Sequence, residues 1–251
     1  MTIPDSSGTM LYLNGVSVSF DGFKALNSLS IIVHPAEMLA IIGPNGAGKT
    51  TMMDIITGKT RPDDGDVYFD GRTDLTKLDE ATIANLGIGR KFQKPTVFES
   101  HTIWDNLVLA LKKPRKVFSA LTYAQSGNDK VRIEEILETV RLTSRKDDLA
   151  ADLSHGQKQW LEVGMLLAQD PKLLLVDEPV AGMTDAETVE TAILLKEIAK
   201  TRSVVVVEHD MSFVRELGTR VTCLAEGSVL AEGTLDQVSQ NPVVIERYLG
   251  R

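Results

Sequence analysis

The chain has 251 residues, a formal net charge of −8, 43% hydrophobic and 25% charged residues, and a single cysteine. This is the balance of an ordinary folded chain, one large domain or two small ones. The acidic surplus argues against a broad nucleic-acid footprint, and the lone Cys223 excludes an internal disulfide and reads as a core packer.

Residues 1–9 are polar, which predicts a frayed start. They lack the basic and apolar segments of a secretory leader, and no later apolar run approaches the ~18 residues that span a bilayer. Leu11 to Phe20, Ser30 to Val33 and Val67 to Phe69 read as strands of an antiparallel flank. Phe20 ends the first of them and is either a core residue or an aromatic on which a flat base could stack. Met38 to Ile42 is wholly apolar, the pattern of a parallel strand buried on both faces.

That strand runs into Gly43-Pro44-Asn45-Gly46-Ala47-Gly48-Lys49-Thr50, a complete GxxxxGK[ST] sequence. A buried strand, a glycine-rich turn and a following helix form a phosphate-binding loop. Backbone N–H groups and the helix dipole hold the anion, Lys49 pairs with the β- and γ-phosphates, and the Thr50 hydroxyl reaches Mg²⁺. Thr51, next in the helix, belongs to the same nucleotide-binding set.

From about Pro95 to Met165 helical patterns replace strand signals, including Trp104 to Leu111 and Val131 to Val140. The basic run Lys112-Lys113-Pro114-Arg115-Lys116 reads as a solvated loop. Ser154-His155-Gly156-Gln157 fits the S-x-x-Q capping box, and Leu161, Met165 and Ala168 continue a helix, so its N-terminus offers a second anion site. Leu173 to Val176 is another buried strand. It delivers Asp177 to the carboxyl edge of a parallel sheet, where it can hold a Mg²⁺ shell through water, and Glu178 just beyond can act as general base on an attacking water. Val204 to Val207 is a third buried strand, followed by His209; a lone histidine after a strand is more often a satisfied surface residue, and it is the set of preceding motifs that gives it a γ-phosphate and that water to contact. Strand signals return around Gly227, and Thr234 starts a short helix.

In order, Gly43 to Thr50, Gln93, Leu153-Ser154-His155-Gly156-Gln157, Leu173 to Pro179 and Val204 to Asp210 resemble the phosphate loop, Q-loop, signature, Walker B and switch histidine of the ATP-binding cassette (ABC) ATPases. The resemblance implies an α/β fold: a P-loop NTPase (RecA-like) core with an antiparallel β flank and an inserted α-helical subdomain. It would be one cassette over 10–251, with core segments 10–93 and 166–251 and helical segment 94–165. It implies ATP and Mg²⁺ as cofactors, Phe20 as the adenine-stacking residue, and Gln93 in the metal shell beside Thr50 and Asp177. Ser154, Gly156 and Gln157 would close over the ATP of a second cassette in a head-to-tail dimer. Two positions depart from the family pattern. His155 stands where glycine is usual, and Ala181-Gly182-Met183-Thr184 lacks its terminal aspartate, with Asp185 one place later.

A short cassette without membrane spans or coiled-coil arms resembles a bacterial importer ATPase that docks on separate permease subunits, indirectly served by a periplasmic solute-binding protein. Phe92 to Glu99 and Trp104 to Leu107 would receive the permease. The ending Asn241 to Gly250 is similar to the branched-chain amino-acid and urea uptake group, and Leu153 to Glu162 and Glu178 to Thr184 are similar to its urea members. The resemblance therefore implies ATP-driven uptake of a small polar solute, urea first, by a cytoplasmic subunit on the inner membrane face. Branched-chain amino-acid import is the alternative, and a soluble non-transport ABC ATPase the more distant one.

Overall fold

The computed structural model describes residues 8–91, 96–112 and 127–250. The expected fraying over residues 1–7, Gln93 with the rest of 92–95, and most of the basic run at 112–116 lie outside the described residues.

Two sheets organise the chain. Strands β1 (Leu11–Phe20), β2 (Phe23–Val33), β4 (Asp64–Phe69) and β5 (Thr73–Asp74) form an antiparallel sheet in the order β2-β1-β4-β5. The second contains β3 (Met38–Ile42), β6 (Ile88–Lys91), β7 (Leu173–Asp177), β8 (Ser203–Val207), β9 (Arg220–Ala225) and β10 (Ser228–Gly233), in the order β10-β9-β3-β8-β7-β6. Its ladders are parallel except for the β9–β10 hairpin. Every residue of β3, β7 and β8 is buried, as expected of strands covered on both faces.

Alternation along these strands divides the core. Leu39, Ile41, Leu173, Leu175, Val205 and Val207 face the antiparallel sheet and helix α1 (Lys49–Ile56), in one cluster with Leu13, Leu29, Met53 and Ile83 of helix α2 (Glu80–Leu86). Leu174, Val176, Val204 and Val206 point the other way, into a cluster shared with five helices: α3 (Ile103–Ala110), α4 (Gly127–Thr139), α5 (His155–Ala168), α6 (Asp185–Ala199) and α7 (Met211–Leu217). A smaller cluster joins Ala40 and Ile42 to Val221, Cys223 and α8 (Leu235–Ser239). Cys223 is fully buried there, and burial pushes its thiol up to about 11.

The helices between β6 and β7 pack closely because α5 has glycine where they meet. A Cβ on Gly164 would lie 3.2 Å from both Ile136 of α4 and Leu107 of α3. A buried ion pair ties this block to the sheet: Lys91 Nζ, at the end of β6, lies 3.6 Å from Glu162 Oε2 in α5. The other carboxylate oxygen of Glu162 accepts from the Thr96 hydroxyl at 2.9 Å and the Thr96 N–H at 3.2 Å. One side chain of α5 thus holds the residues on both sides of segment 92–95.

Side chains set the helix starts. Thr102, Ser154, Thr184, Asp210 and Thr234 are N-caps whose oxygens accept from backbone N–H groups, with complete capping boxes at Ser154, Thr184 and Thr234.

Candidate active site

The carboxyl ends of β3, β8 and β7 are neighbours in the sheet, so the loops that follow them converge. They open on a cavity of about 350 Å³, lined by residues 45–51, Asp177, Glu178, Val207 and two aromatic side chains, Phe20 and Phe23.

The glycines explain how the first loop fits. Gly43 has φ 145° and Gly48 φ 98°. A Cβ on Gly43 would fall 2.2 Å from the Leu224 carbonyl oxygen of β9, and one on Gly48 would fall 2.5 Å from Leu26 of β2. The loop is therefore pressed against the protein on those sides, whereas a Cβ on Gly46 would meet nothing within 4 Å. Helix α1 starts at Gly48 with no side-chain cap and no acidic residue in its first turn, so its N-terminal dipole faces the loop without competition. Lys49 Nζ donates to the Gly43 and Pro44 carbonyls at 2.7 and 2.9 Å. Burial lowers its pKa, while the carboxylates of Glu178 and Asp177 oppose that shift. An anion cradle, an ammonium inside it and a base-sized aromatic pair at the rim fit a nucleoside triphosphate.

Asp177 ends β7 with its side chain buried, and burial raises its pKa, with the Arg90 guanidinium pulling the other way. Arg90 NH2 lies 3.7 Å from Asp177 and its NH1 contacts Asp54 in α1, so Arg90 ties β6, β7 and α1 together beneath the phosphate loop. Among the described residues no cluster of three or more His, Cys, Asp or Glu side chains could hold a metal by itself. Thr50 and Asp177 instead fit Mg²⁺, which takes one or two protein ligands and completes its shell with phosphate and water.

Glu178 adopts φ 46°, and its N–H donates to the Val207 carbonyl at 2.9 Å. A left-handed conformation at a non-glycine residue is strained. Here it turns the carboxylate toward β8, where Glu178 Oε1 lies 3.5 Å from His209 Nδ1. The two side chains are 30% and 63% exposed, open enough to meet a ligand. Beneath them the buried Glu208 Oε2 accepts from the N–H groups of His209 and Asp210 at 2.8 and 3.2 Å, fixing the loop that presents the imidazole. Burial raises the Glu208 pKa.

Phe20 is 47% exposed at the end of β1, which removes it from the core. The hairpin pairs it with Phe23, 66% exposed and lining the same cavity. Phe23, Arg90 and Glu208 were not singled out from the sequence. Only the hairpin register could have pointed to Phe23, and neither charged residue carries a signal until the strands are paired.

Ser154, Gly156 and Gln157 do not line this cavity. They open α5, where Ser154 accepts from the Gln157 N–H at 3.2 Å and Gln157 Oε1 accepts from the Ser154 N–H at 3.1 Å and from Arg145 at 2.7 Å. Within the single cassette the Gln157 side chain thus braces Ser154. His155 Nε2 lies 3.1 Å from the Ala181 carbonyl oxygen, so the departure from glycine joins the signature to the loop after β7. Glu99, in the expected docking segment, pairs with Lys158 at 2.6 Å.

Comparison with known proteins decides the family. Residues 26–181 match the family model described as ABC transporter. A probable branched-chain amino acid transport ATP-binding protein LivG of Archaeoglobus fulgidus is 36% identical over 96% of this chain and 95% of its own. The high-affinity branched-chain amino acid transport ATP-binding protein LivG of Escherichia coli is 32% identical over 97% and 99%. The chain belongs to the ABC transporter family. A nucleotide-free ATP-binding cassette from an ABC transporter superposes with TM-score 0.84 at 30% identity, covering 97% of this chain and all of that one. A dimeric bacterial ABC transporter cassette gives 0.74 at 27% identity over 90% and 99%.

The fold is that of an ABC cassette, and as an ABC transporter ATP-binding chain the protein is an ATPase. The expected urea preference finds no support: the relatives are named for branched-chain amino-acid transport, so the alternative solute reading fits better. Among the described residues, no helix of the cassette is long and apolar enough to cross a membrane.

Proposed function

We propose that this cassette hydrolyses ATP to drive a branched-chain amino-acid importer, acting on the inner face of the membrane against separate permease subunits. The observation that carries the chemistry is the convergence of Lys49, Asp177 and Glu178 on one cavity from neighbouring strands, with His209, just past the third strand, 3.5 Å from Glu178. The relatives' names support the solute class.

Phe20 and Phe23 stack the base, residues 43–51 hold the phosphates, and Thr50 and Asp177 hold Mg²⁺. The metal, when bound, neutralises phosphate charge. Glu178 takes the proton of the attacking water while His209, fixed from below by Glu208, orients it. Ser154 and Gly156 lie off this cavity and serve the nucleotide of a second cassette, so the working unit is a head-to-tail dimer. The helical subdomain expected over 94–165 receives the permease, among the described residues through 96–99 and Trp104 to Leu107.

Uptake of labelled leucine and of labelled urea, in cells lacking this gene and complemented with wild type or Glu178→Gln, tests the reading. Leucine uptake should be restored by wild type only. Restoration of urea uptake instead would overturn the solute class, and full restoration by Glu178→Gln would overturn the base.

A further inference from the structure

The signature helix is engaged, but within its own chain. Ser154 Oγ donates to Glu187 Oε1 at 2.7 Å. Glu187 also lies directly over Gly156: a Cβ there would fall 2.6 Å from the Glu187 Cδ and 2.6 and 3.1 Å from its two oxygens. The carboxylate therefore sits at the N-terminus of α5, on the serine and against the glycine that the two-cassette reading assigns to a phosphate. A negatively charged, oxygen-bearing group at a helix N-terminus is electrostatically what that seat favours. Glu187 reaches it from α6, and its other oxygen accepts from the N–H and hydroxyl of Thr184, both at 3.0 Å. Those hydrogen bonds, from the Thr184 backbone and from Ser154, hold its carboxyl below the usual carboxylate range.

We propose that Glu187 is a positioning residue of the composite ATP site, holding the signature's anion seat in the free cassette and yielding it to the γ-phosphate of the partner's nucleotide when two cassettes close. The exchange has two consequences. Dimer closure must break the Ser154–Glu187 hydrogen bond, so Glu187 sets the ATP concentration at which cassettes pair. The released carboxylate belongs to the capping box of α6, so occupation of the seat by phosphate is felt at Thr184 and in the loop after Walker B, which leads back to Glu178. His155, bonded to Ala181 of that loop, gives the two segments a second link.

This inference rests on the two-cassette reading of Ser154 and Gly156. Glu187→Gln separates charge from structure, because glutamine also completes a capping box with Thr184 but carries no charge into the anion seat. In the hydrolysis-deficient Glu178→Gln background, light scattering during an ATP titration with Mg²⁺ gives the ATP concentration at half-maximal dimer. A hydrogen bond to a charged group corresponds to a factor of about ten or more, so Glu187→Gln should lower that midpoint by roughly tenfold, with ATP affinity of the dilute monomer unchanged. Glu187→Ala, which also loses the cap, should lower it too, provided its melting curve remains cooperative. If Glu187 merely supports Ser154, the midpoint should rise. A midpoint that rises or stays fixed while dimers form overturns the exchange and leaves the composite site standing; absence of dimers in both the parent and the variant overturns the composite site and the exchange with it.

Discussion

Lys49 has two sets of partners in prospect and one ammonium to serve them. Its hydrogen bonds to the Gly43 and Pro44 carbonyls hold the loop curled around the position that phosphate oxygens would take. Lys49→Ala should abolish tight ATP binding, because the triphosphate loses the cation that, among the described residues, lines its cradle; unchanged affinity for labelled ATP would refute the role. The glycines of the same loop should behave unequally. Gly43→Ala drives a Cβ into the Leu224 backbone and should cost both thermal stability and ATP binding. Gly46→Ala projects into open space at φ 78° and bears only the left-handed penalty, about 1–2 kcal/mol. Melting curves of the two variants decide it: equal losses would mean that the loop is not wedged against β9.

At the scale of elements, the caps translate sequence into measurable stability. Asp210 accepts from the N–H groups of Ser212 and Phe213 at 2.8 and 3.1 Å and starts α7 directly behind His209. Asp210→Ala should cost about 1 kcal/mol at neutral pH. Hydrogen bonding from the Ser212 side chain, with further bonds from the backbone, lowers the Asp210 pKa against the cost of burial. A folded-state pKa below the unfolded one gives stability that is complete above about pH 4 and is lost as pH falls through the folded value. The difference between wild type and Asp210→Ala in urea denaturation should therefore shrink below about pH 4; a difference that grows there would reverse the assignment.

The same elements show what the sequence could and could not reveal. Strands β3, β7 and β8 are plain in it because both their faces are covered, which forces five consecutive buried positions. The phosphate loop, Asp177, Glu178 and His209 follow because each is bolted to the end of such a strand. Strand β6 is only four residues long, with Gly89 and Arg90 in its middle, and it is a strand because β7 supplies the ladder. The early Ser30 to Val33 strand proves to be the end of an 11-residue one, since pairing with β1 carries it back to Phe23. Glu187 could be read only as a helix-capping acid; its contact with Ser154 spans 33 positions and exists only once α5 and α6 are packed.

For the whole molecule, the proposed division of labour between Glu178 and the binding residues would make hydrolysis separable from assembly. Glu178→Gln should slow hydrolysis by about 10²–10⁴-fold, the usual loss for a general base, without weakening ATP binding. Nucleotide that persists should hold two cassettes together, because a ligand bound only by the closed state stabilises it by about 2.7 kcal/mol at a hundredfold excess over its dissociation constant. Light scattering with ATP should show a dimer that Ser154→Arg abolishes. A wild-type hydrolysis rate in Glu178→Gln, or a dimer indifferent to Ser154→Arg, would sink the corresponding half of this account.

The placement of β3 at the centre of its sheet bears on how the protein is made. Its ladder partners are β8, 203–207, and β9, 220–225, while the strands nearest to it in sequence belong to the other sheet. On the ribosome, at about 5–20 residues per second, the phosphate-loop strand therefore waits roughly 10–40 seconds for its neighbours to be synthesised. Until then five buried apolar residues and the loop they anchor have no sheet to join. The nascent chain can complete its antiparallel flank early, but the phosphate-loop strand has both its ladder partners, and a nucleotide a formed loop to stabilise, only after residues 203–225 have emerged.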